Sequence, residues 1–503
     1  MIDPGPTLTM ATTADGYLLV LALVLPVVVA VAAPLVGGRR AADLFLLLIP
    51  AGLLVAVGIV VAVVRADAAL LYLLGGWAPP LGVALRADGL SAALLLTSAL
   101  VIGMIGLYAR PAFATPTGTK EARAPLAFWT LLPALWGGLN AVFLSNDLFS
   151  LYVALELLTF TAIPLVCLDG RAETLGAALR YLLFALVGSA LYLLGTALLY
   201  GAYGTLDIVL LAGRIGTEPT ALIAIALMTV GLLAKTALFP LYLWLPPAHA
   251  GAPAAASAVL SGLVVKASLF IVMRLWLDLL PGLATTWGAQ LLAALGAAAI
   301  LFGSVLALRQ ARLKMLIAYS TVAQIGYLFL MFPLVAAPAM AGLGGADALT
   351  GGTLQIVSHA LAKAAMFLAA GLMAEALGHD RIAGLGGLGR ALPLTLATFA
   401  LAGLSLMGLP PSGGFLAKWL LLTAAIVAGQ WWWALVMLAG GLLTGAYLYR
   451  VLVAALAAAP EPAIRYRPIA RWRELVPLVL AVCSVLLGLV AFAPVDLVPI
   501  GRP

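Results

Sequence analysis

Five charged side chains in this 503-residue sequence fall deep within long apolar runs: Glu156, Lys235, Lys266, Lys363 and Lys418. A charge at the centre of a membrane helix costs about 2.5–3.5 kcal/mol, so five facing lipid would cost on the order of 12–17 kcal/mol, as much as the net stability of a whole domain. They must face one another, water or polar backbone. Snorkelling of a lysine near a helix end to the interface could account for Lys418, but not for all five. Lysine suits reversible proton transfer, because a buried lysine gives up its proton readily whereas arginine stays charged. Glu156 is the natural opposite charge. Close to Lys235 it favours both ionised forms, and separating the two frees a proton to move along the row.

Three histidines complete the inventory. His359 and Lys363 are four residues apart and share one helical face. An imidazole titrating near neutrality could pass a proton to that lysine, or it could simply be satisfied by a backbone carbonyl. His249 lies in a connection, 245–253, where it either marks the point at which protons enter or caps the next helix. His379 sits in a polar loop beside Asp380 and Arg381 and is assigned no role. Cys167 and Cys483 offer neither a disulfide framework nor metal-ligand spacing, so no catalytic residue, metal or other cofactor is expected. Gly384-Leu-Gly-Gly-Leu-Gly389 matches a dinucleotide fingerprint in letters only: no strand precedes it, and it reads as a loop.

The elements that must position these residues are membrane helices. Hydrophobic residues make up 65% of the chain and charged ones 9%, with mean hydropathy +1.18. A soluble domain carries roughly a quarter of its residues charged. Only helices or closed barrels satisfy their backbone in lipid, and the apolar runs are long and unbroken rather than short and alternating. The fold class expected is an all-α polytopic membrane protein of about fourteen transmembrane helices, at roughly 20 apolar residues per span. One membrane domain covers 1–503, with three spans over 17–108 and a last span over 474–497. Tyr17 to Val36 reads as a retained span, since no basic region precedes it. Turn residues within 73–89 predict an outward-facing hairpin between the second and third spans.

The net charge of +7 does not signal nucleic acid, because no basic stripe is interleaved with aromatics. It reports orientation instead. With Arg39 and Arg40 on the cytoplasmic side, alternate loops place roughly seventeen Lys/Arg inside and about five outside, which puts both termini outside. Arg110, Lys120, Arg123, Arg309, Arg312, Lys314, Arg465, Arg467, Arg471 and Arg473 belong to the inside set.

Two spans are interrupted, and each carries a lysine. Ala221 to Leu245, with Lys235, is broken near its end by Pro240 and Pro246. Leu394 to Val427, with Lys418, is broken by Pro410, Pro411, Gly413 and Gly414. Proline removes an intrahelical hydrogen bond and pushes the helix apart. Paired interruptions in two halves of a transporter often mark an internal repeat with the transport site at the breaks.

Several segments together resemble one family. They are Ser145-Asn-Asp-Leu-Phe-Ser-Leu-Tyr-Val-Ala-Leu-Glu156, Ala234-Lys-Thr-Ala-Leu-Phe-Pro-Leu-Tyr-Leu-Trp-Leu-Pro246 and Ser257-Ala-Val-Leu-Ser-Gly-Leu-Val-Val-Lys266. Ala318-Tyr-Ser-Thr-Val-Ala-Gln-Ile-Gly-Tyr327, His359-Ala-Leu-Ala-Lys363 and Gly408-Leu-Pro-Pro-Ser-Gly-Gly-Phe-Leu-Ala-Lys418 belong to the same set. All are similar to the antiporter-like subunits shared by Mrp cation/proton antiporters, respiratory complex I and membrane-bound hydrogenases. Residues 75–83, 88–91 and 203–207 look most like the D-type branch of the Mrp subunits. Pro247, where the family often has Asp, and the proline-free Ala254-Ala-Ala-Ser257 depart from its pattern.

The resemblance implies fourteen helices with two inverted five-helix repeats, over 125–276 and 286–456, and broken helices seven and twelve. It implies a mobile Glu156–Lys235 pair, a central Lys266, and His359 or Lys363 leading to Lys418 at the outlet of a hydrated path across the mid-membrane. The implied setting is a bacterial plasma membrane, among other membrane subunits of a hetero-oligomeric complex. The implied activity is exchange of protons for Na+ or another monovalent cation. Two alternatives stand beside it: a proton-pumping subunit of a quinone-reducing or hydrogen-evolving complex, and a proton-fed subunit that powers inorganic-carbon uptake. The sequence carries no redox ligands, so a transporter subunit without redox chemistry of its own is expected.

Overall fold

The computed structural model describes residues 11–116, 118–119, 121–336, 345–458, 466–489 and 497–502. Lys120 and Arg465 of the basic inside set, and most of the end of the expected 474–497 span, lie outside them. Twelve helices among the described residues are long and apolar enough to cross a membrane. The longer helices are numbered α1 (Tyr17–Val36), α2 (Gly38–Ala66), α3 (Gly89–Ala109), α4 (Arg123–Leu144), α5 (Leu148–Val166), α6 (Ala172–Tyr203) and α7 (Pro219–Thr236). They continue through α8 (Leu245–Gly251), α9 (Ala254–Leu279), α10 (Trp287–Leu308), α11 (Leu313–Phe329), α12 (Gly345–Leu377), α13 (Pro393–Met407), α14 (Gly413–Val427), α15 (Trp431–Leu456) and α16 (Arg471–Leu486). The hairpin expected after α2 is present as β1 (Leu70–Leu73) paired antiparallel with β2 (Ala84–Ala87).

Apolar composition all round lets a helix sit at the centre of a bundle or face lipid, and the packing decides which. α9 is buried from Ala255 to Leu279, and α11 and α12 are nearly as buried, whereas α1 and α2 expose most of their surface. The central helices carry Lys266, His359 and Lys363. Around them α6 packs on α7, α10 on α11, and α12 is enclosed by α13, α14 and α16. Glycine permits the α6–α7 approach: a methyl at Gly188 would lie 2.6 Å from the Gly231 carbonyl oxygen, and one at Gly231 closer still to that of Gly188.

Both expected interruptions are present. α7 stops at Thr236 because Ala237 adopts a left-handed conformation (φ 59°). The Leu238 amide then returns 3.2 Å to the Leu233 carbonyl. The Trp244 indole donates to the Ala234 carbonyl at 2.9 Å, supplementing the 3.3 Å bond from the Ala237 amide at the helix end. Pro246 differs from the expectation. With Pro247 it occupies the first turn of α8, where a missing N–H leaves nothing unpaired, so it opens that helix rather than breaking the preceding one. The second break runs from Gly408 (φ 86°) to Ser412, whose hydroxyl caps α14 by accepting from the Phe415 amide at 3.1 Å. α9 is continuous but contains π-helical turns at Leu260–Val264 and Arg274–Leu279.

Candidate functional site

The break after α7 places Lys235 in the last helical turn, facing α5. Its Nζ lies 3.1 Å from Glu156 Oε1 and donates to Thr159 Oγ1 at 2.9 Å. Ser189 on α6 donates to the same carboxylate oxygen. The two residues expected to pair therefore do pair, on three packed helices, with Lys235 only 8% exposed. Neighbouring hydroxyls, Thr236 to Ser268 at 3.0 Å, join the end of α7 to α9.

Lys266 is 2% exposed and donates to the Ser261 carbonyl. That carbonyl lies in the first π-helical turn of α9, where the regular i→i−4 ladder is interrupted and an oxygen is open to a side chain. Lys363, fully buried, donates to the Ile317 carbonyl at 3.1 Å and to Ser320 Oγ at 2.7 Å, both on α11. Lys418 does not snorkel. Its ammonium turns inward to the Leu406 carbonyl at 2.6 Å and the Met407 carbonyl at 3.4 Å, and lies 4.1 Å from the centre of the Tyr327 ring. Those carbonyls end α13, where unsatisfied oxygens and the negative end of the helix dipole favour a cation. Three of the four lysines thus rest on carbonyls at a helix end or irregular turn, or on the neighbouring α11 backbone, and the fourth on Glu156.

The histidines fit their expectations less closely. His359 lies on α12 four residues before Lys363, as its spacing required, yet Lys363 bonds to α11. His249 is not in a connection: it is a fully buried residue of α8, its ring stacked on Phe367 with centroids 4.8 Å apart. Its carbonyl accepts from Ser257 Oγ at 3.2 Å, while neither ring nitrogen of His249 or of His359 has a hydrogen-bond partner among the described residues. His379 accepts from the Arg381 amide at 3.3 Å in an exposed loop. The glycine-rich 384–389 segment forms short helical turns with no strand beside it among the described residues.

Several functional-looking groups escaped the sequence. The hydroxyls and amides around the lysines are ordinary as letters, and only packing brings Thr159, Ser189, Ser320 and Gln324 to the charges. A buried ionic cluster was also missed. Arg274 forks onto Asp88, with Nη1–Oδ2 at 2.6 Å and Nη2–Oδ1 at 2.8 Å, and reaches Asp278 at 2.7 Å. Arg502 also binds Asp278, Arg86 donates to the Gly501 carbonyl and the Gly89 amide to the Ile500 carbonyl at 3.0 Å, tying residues 497–502 to β2, the start of α3 and the end of α9. The four-residue spacing of Arg274 and Asp278 was a readable signal; their distant partners were not. No group of three or more potential metal ligands occurs among the described residues.

The sequence profile of the family described as "NADH:quinone oxidoreductase/Mrp antiporter, TM" matches residues 145–444. The N subunit of the NADH-quinone oxidoreductase of Desulforudis audaxviator is 33% identical over 400 residues, 78% of this chain and 77% of that protein. The D subunit of the Na(+)/H(+) antiporter of Alkalihalophilus pseudofirmus is 29% identical over 390 residues, 76% of this chain and 74% of that one. Among solved structures, a chain of the Mrp complex from Dietzia sp. DQ12-45-1b shares the fold at TM-score 0.87, with 24% identity, 97% of this chain and 96% of that one covered. A chain of the archaeal membrane-bound sulfane sulfur reductase shares it at TM-score 0.82, with 26% identity, 95% and 96% covered.

Proposed function

The chain belongs to the family of membrane subunits shared by NADH:quinone oxidoreductases and Mrp antiporters, and on that footing we propose that it conducts protons along Glu156, Lys235, Lys266, His359/Lys363 and Lys418 as one subunit of a multisubunit monovalent-cation/proton antiporter. The observation that carries this reading is the Glu156–Lys235 contact at the break of α7, continued by three lysines lodged on backbone carbonyls. While Glu156 holds Lys235, the lysine keeps its proton. When the two part, Lys235 is left buried without its counter-charge and releases a proton toward Lys266. The ammonium that forms next meets carbonyl oxygens rather than lipid, so charge can rest at each station.

His249, buried beside Phe367, sits on the α8 side of the row, where protons would reach it from the basic face. The location proposed is a bacterial plasma membrane, and the charge bias of the loops supports both termini facing outward. Fourteen crossings in two inverted repeats are supported by the two breaks and by similar close approaches, Gly188 to Gly231 beside the first and Gly351 to the Ala417 carbonyl beside the second. The solved relatives come from multisubunit membrane complexes, which supports membrane-subunit partners here.

A second reading, a proton-pumping subunit of a quinone-reducing complex, is favoured by the 33% identity to the N subunit of an NADH-quinone oxidoreductase. One experiment tests both. The complex purified with its own partner subunits is sealed into vesicles and internal pH is followed on adding Na+ or, separately, a quinone and its reductant, beside the Lys235→Ala complex. A Na+-driven pH change lost in Lys235→Ala supports the antiporter, and a quinone-driven change lost in the same way supports the pump. Equal pH changes in wild type and Lys235→Ala overturn the proton row.

A further inference from the structure

One segment singled out in the sequence has no station in this row: 318–327, in α11. Its residues Ser320, Thr321, Gln324 and Tyr327 recur at three- and four-residue steps and so form one helical face. That face meets three lysines in turn. Thr321 Oγ1 is 2.8 Å from Ser261 Oγ, on the residue whose carbonyl holds Lys266. Thr321 also donates at 3.0 Å to the Ile317 carbonyl, the same oxygen that accepts from Lys363. Ser320 accepts from Lys363 and lies 2.7 Å from the Tyr447 hydroxyl on α15. Gln324 donates to the Leu406 carbonyl at 3.1 Å, the oxygen that also holds Lys418, and lies 3.4 Å from Thr444, one turn before Tyr447. Tyr327 supplies the ring beneath the Lys418 ammonium.

A buried helix does not line up four polar side chains on one face without partners, because each would cost its desolvation. Here the partners include the Lys363 ammonium and the carbonyl oxygens that hold Lys363 and Lys418, with the Ser261 hydroxyl, Gln355 and the Met437 carbonyl completing the set. We propose that this face of α11 is the bridge between the central lysines and Lys418. Within it the Ser320–Tyr447 hydroxyl pair passes the proton, and Gln324 and Tyr327 are positioning residues for Lys418. Lys363 gives a proton to the Ser320 oxygen as the Ser320 hydrogen moves to the Tyr447 oxygen. The Tyr447 hydrogen leaves by way of a water molecule to the neutral Lys418 amine. One ammonium becomes an amine, one amine becomes an ammonium, and both hydroxyls end neutral and reset by rotating.

This inference rests on the proton-conduction reading, so its test runs in the same vesicles with Lys235→Ala alongside. Tyr447→Phe keeps the ring and removes the hydroxyl; Ser320→Ala and Ser320→Thr remove and restore the other. Positioned proton transfer is worth about 10²–10⁴-fold, so Tyr447→Phe and Ser320→Ala are each expected to slow proton flux by about tenfold or more. The ratio of flux in H2O to that in D2O should rise in both, and Ser320→Thr should recover the flux. A purely structural role would lower the amount of active complex without moving that ratio. If Tyr447→Phe fails to assemble, the Ser320→Ala and Ser320→Thr comparison decides alone. Wild-type flux and isotope ratio in both hydroxyl-free variants, with Lys235→Ala silent, overturn the bridge only. Wild-type flux in Lys235→Ala as well overturns the conduction reading with it.

Discussion

Lys235 Nζ sits between two groups one turn apart on α5, the Glu156 carboxylate at 3.1 Å and the Thr159 hydroxyl at 2.9 Å. The carboxylate sets the charge balance; the hydroxyl is neutral and only shapes the site. Glu156→Ala and Lys235→Ala are therefore expected to abolish ion-coupled activity while leaving the protein inserted. Thr159→Val loses one hydrogen bond to a charged donor, a difference of about 1.5–3 kcal/mol, and should slow flux by roughly ten- to a hundredfold. Initial rates of vesicle pH change measure all three, and near-normal transport by both alanine variants would exclude the pair.

The Trp244 indole donates to the Ala234 carbonyl at 2.9 Å, a shorter bond than the 3.3 Å one the Ala237 amide makes to it at the break in α7. Trp244→Phe retains the stacking on Tyr181, whose ring centroid is 4.1 Å away, but leaves the Ala234 oxygen only the longer 3.3 Å bond from the Ala237 amide. Loss of one neutral hydrogen bond costs about 0.5–1.5 kcal/mol. Thermal unfolding in detergent should show a lower midpoint for Trp244→Phe, with reduced flux because Lys235 lies beside Ala234.

The two breaks respond oppositely to a change of one methyl. Ala237 holds a left-handed backbone that costs a non-glycine residue about 1–2 kcal/mol, so Ala237→Gly should raise the unfolding midpoint and keep transport. Gly408 has φ 86°, and a Cβ there would stand 2.8 Å from Lys418 Cδ. Gly408→Ala should both destabilise the protein and displace Lys418 from its carbonyls. An unaltered midpoint and flux in Gly408→Ala would count against the placement of that lysine.

Asp88, just ahead of α3, is fully buried. Burial alone would raise its pKa, but Arg274 overrides that and, with Arg86 and the Ser91 amide, holds it down to about 2. A carboxyl depressed on folding contributes stability above its unfolded value, near 3.9, and that contribution disappears as pH falls toward the folded value. Acid titration of the purified protein should show stability falling between about pH 4 and 2 through this group, and Asp88→Asn should flatten that fall. Breaking one partner of a buried ion pair costs about 3–5 kcal/mol, so Asp88→Asn should also be markedly less stable at neutral pH. A neutral-pH midpoint equal to wild type would remove the cluster from the stability account.

The apolar runs, the two breaks and the five buried charges were legible because lipid imposes a simple rule: long apolar helices with few exceptions, each exception needing a reason. The Glu156–Lys235 pair could be named before it was seen, since among those five charges only one is negative. The inward turn of Lys418 was not legible, because reaching the interface or the end of α13 depends on which neighbour lies within reach. His249 was misplaced for a similar reason: Pro246 and Pro247 look like helix breakers in the letters, and only the first turn of α8 makes them compatible with a helix that contains the histidine. Arg274 meets Asp88 across 186 residues of sequence, and Arg502 meets the shared Asp278 across 224, separations no local pattern encodes.

Sequence by itself determined the membrane class, the family and which side chains could carry charge through the bilayer, because residue type and hydropathy are local properties. The tertiary structure decided what each charge rests on. A carbonyl freed at Ser261 or Leu406, or a hydroxyl at Thr159 or Ser320, becomes a partner only when packing brings one helix against another. Segment 318–327 carries only a family resemblance in the sequence, and the meeting of its polar face with Lys363 and Lys418 depends on α12 and α13 packing around it.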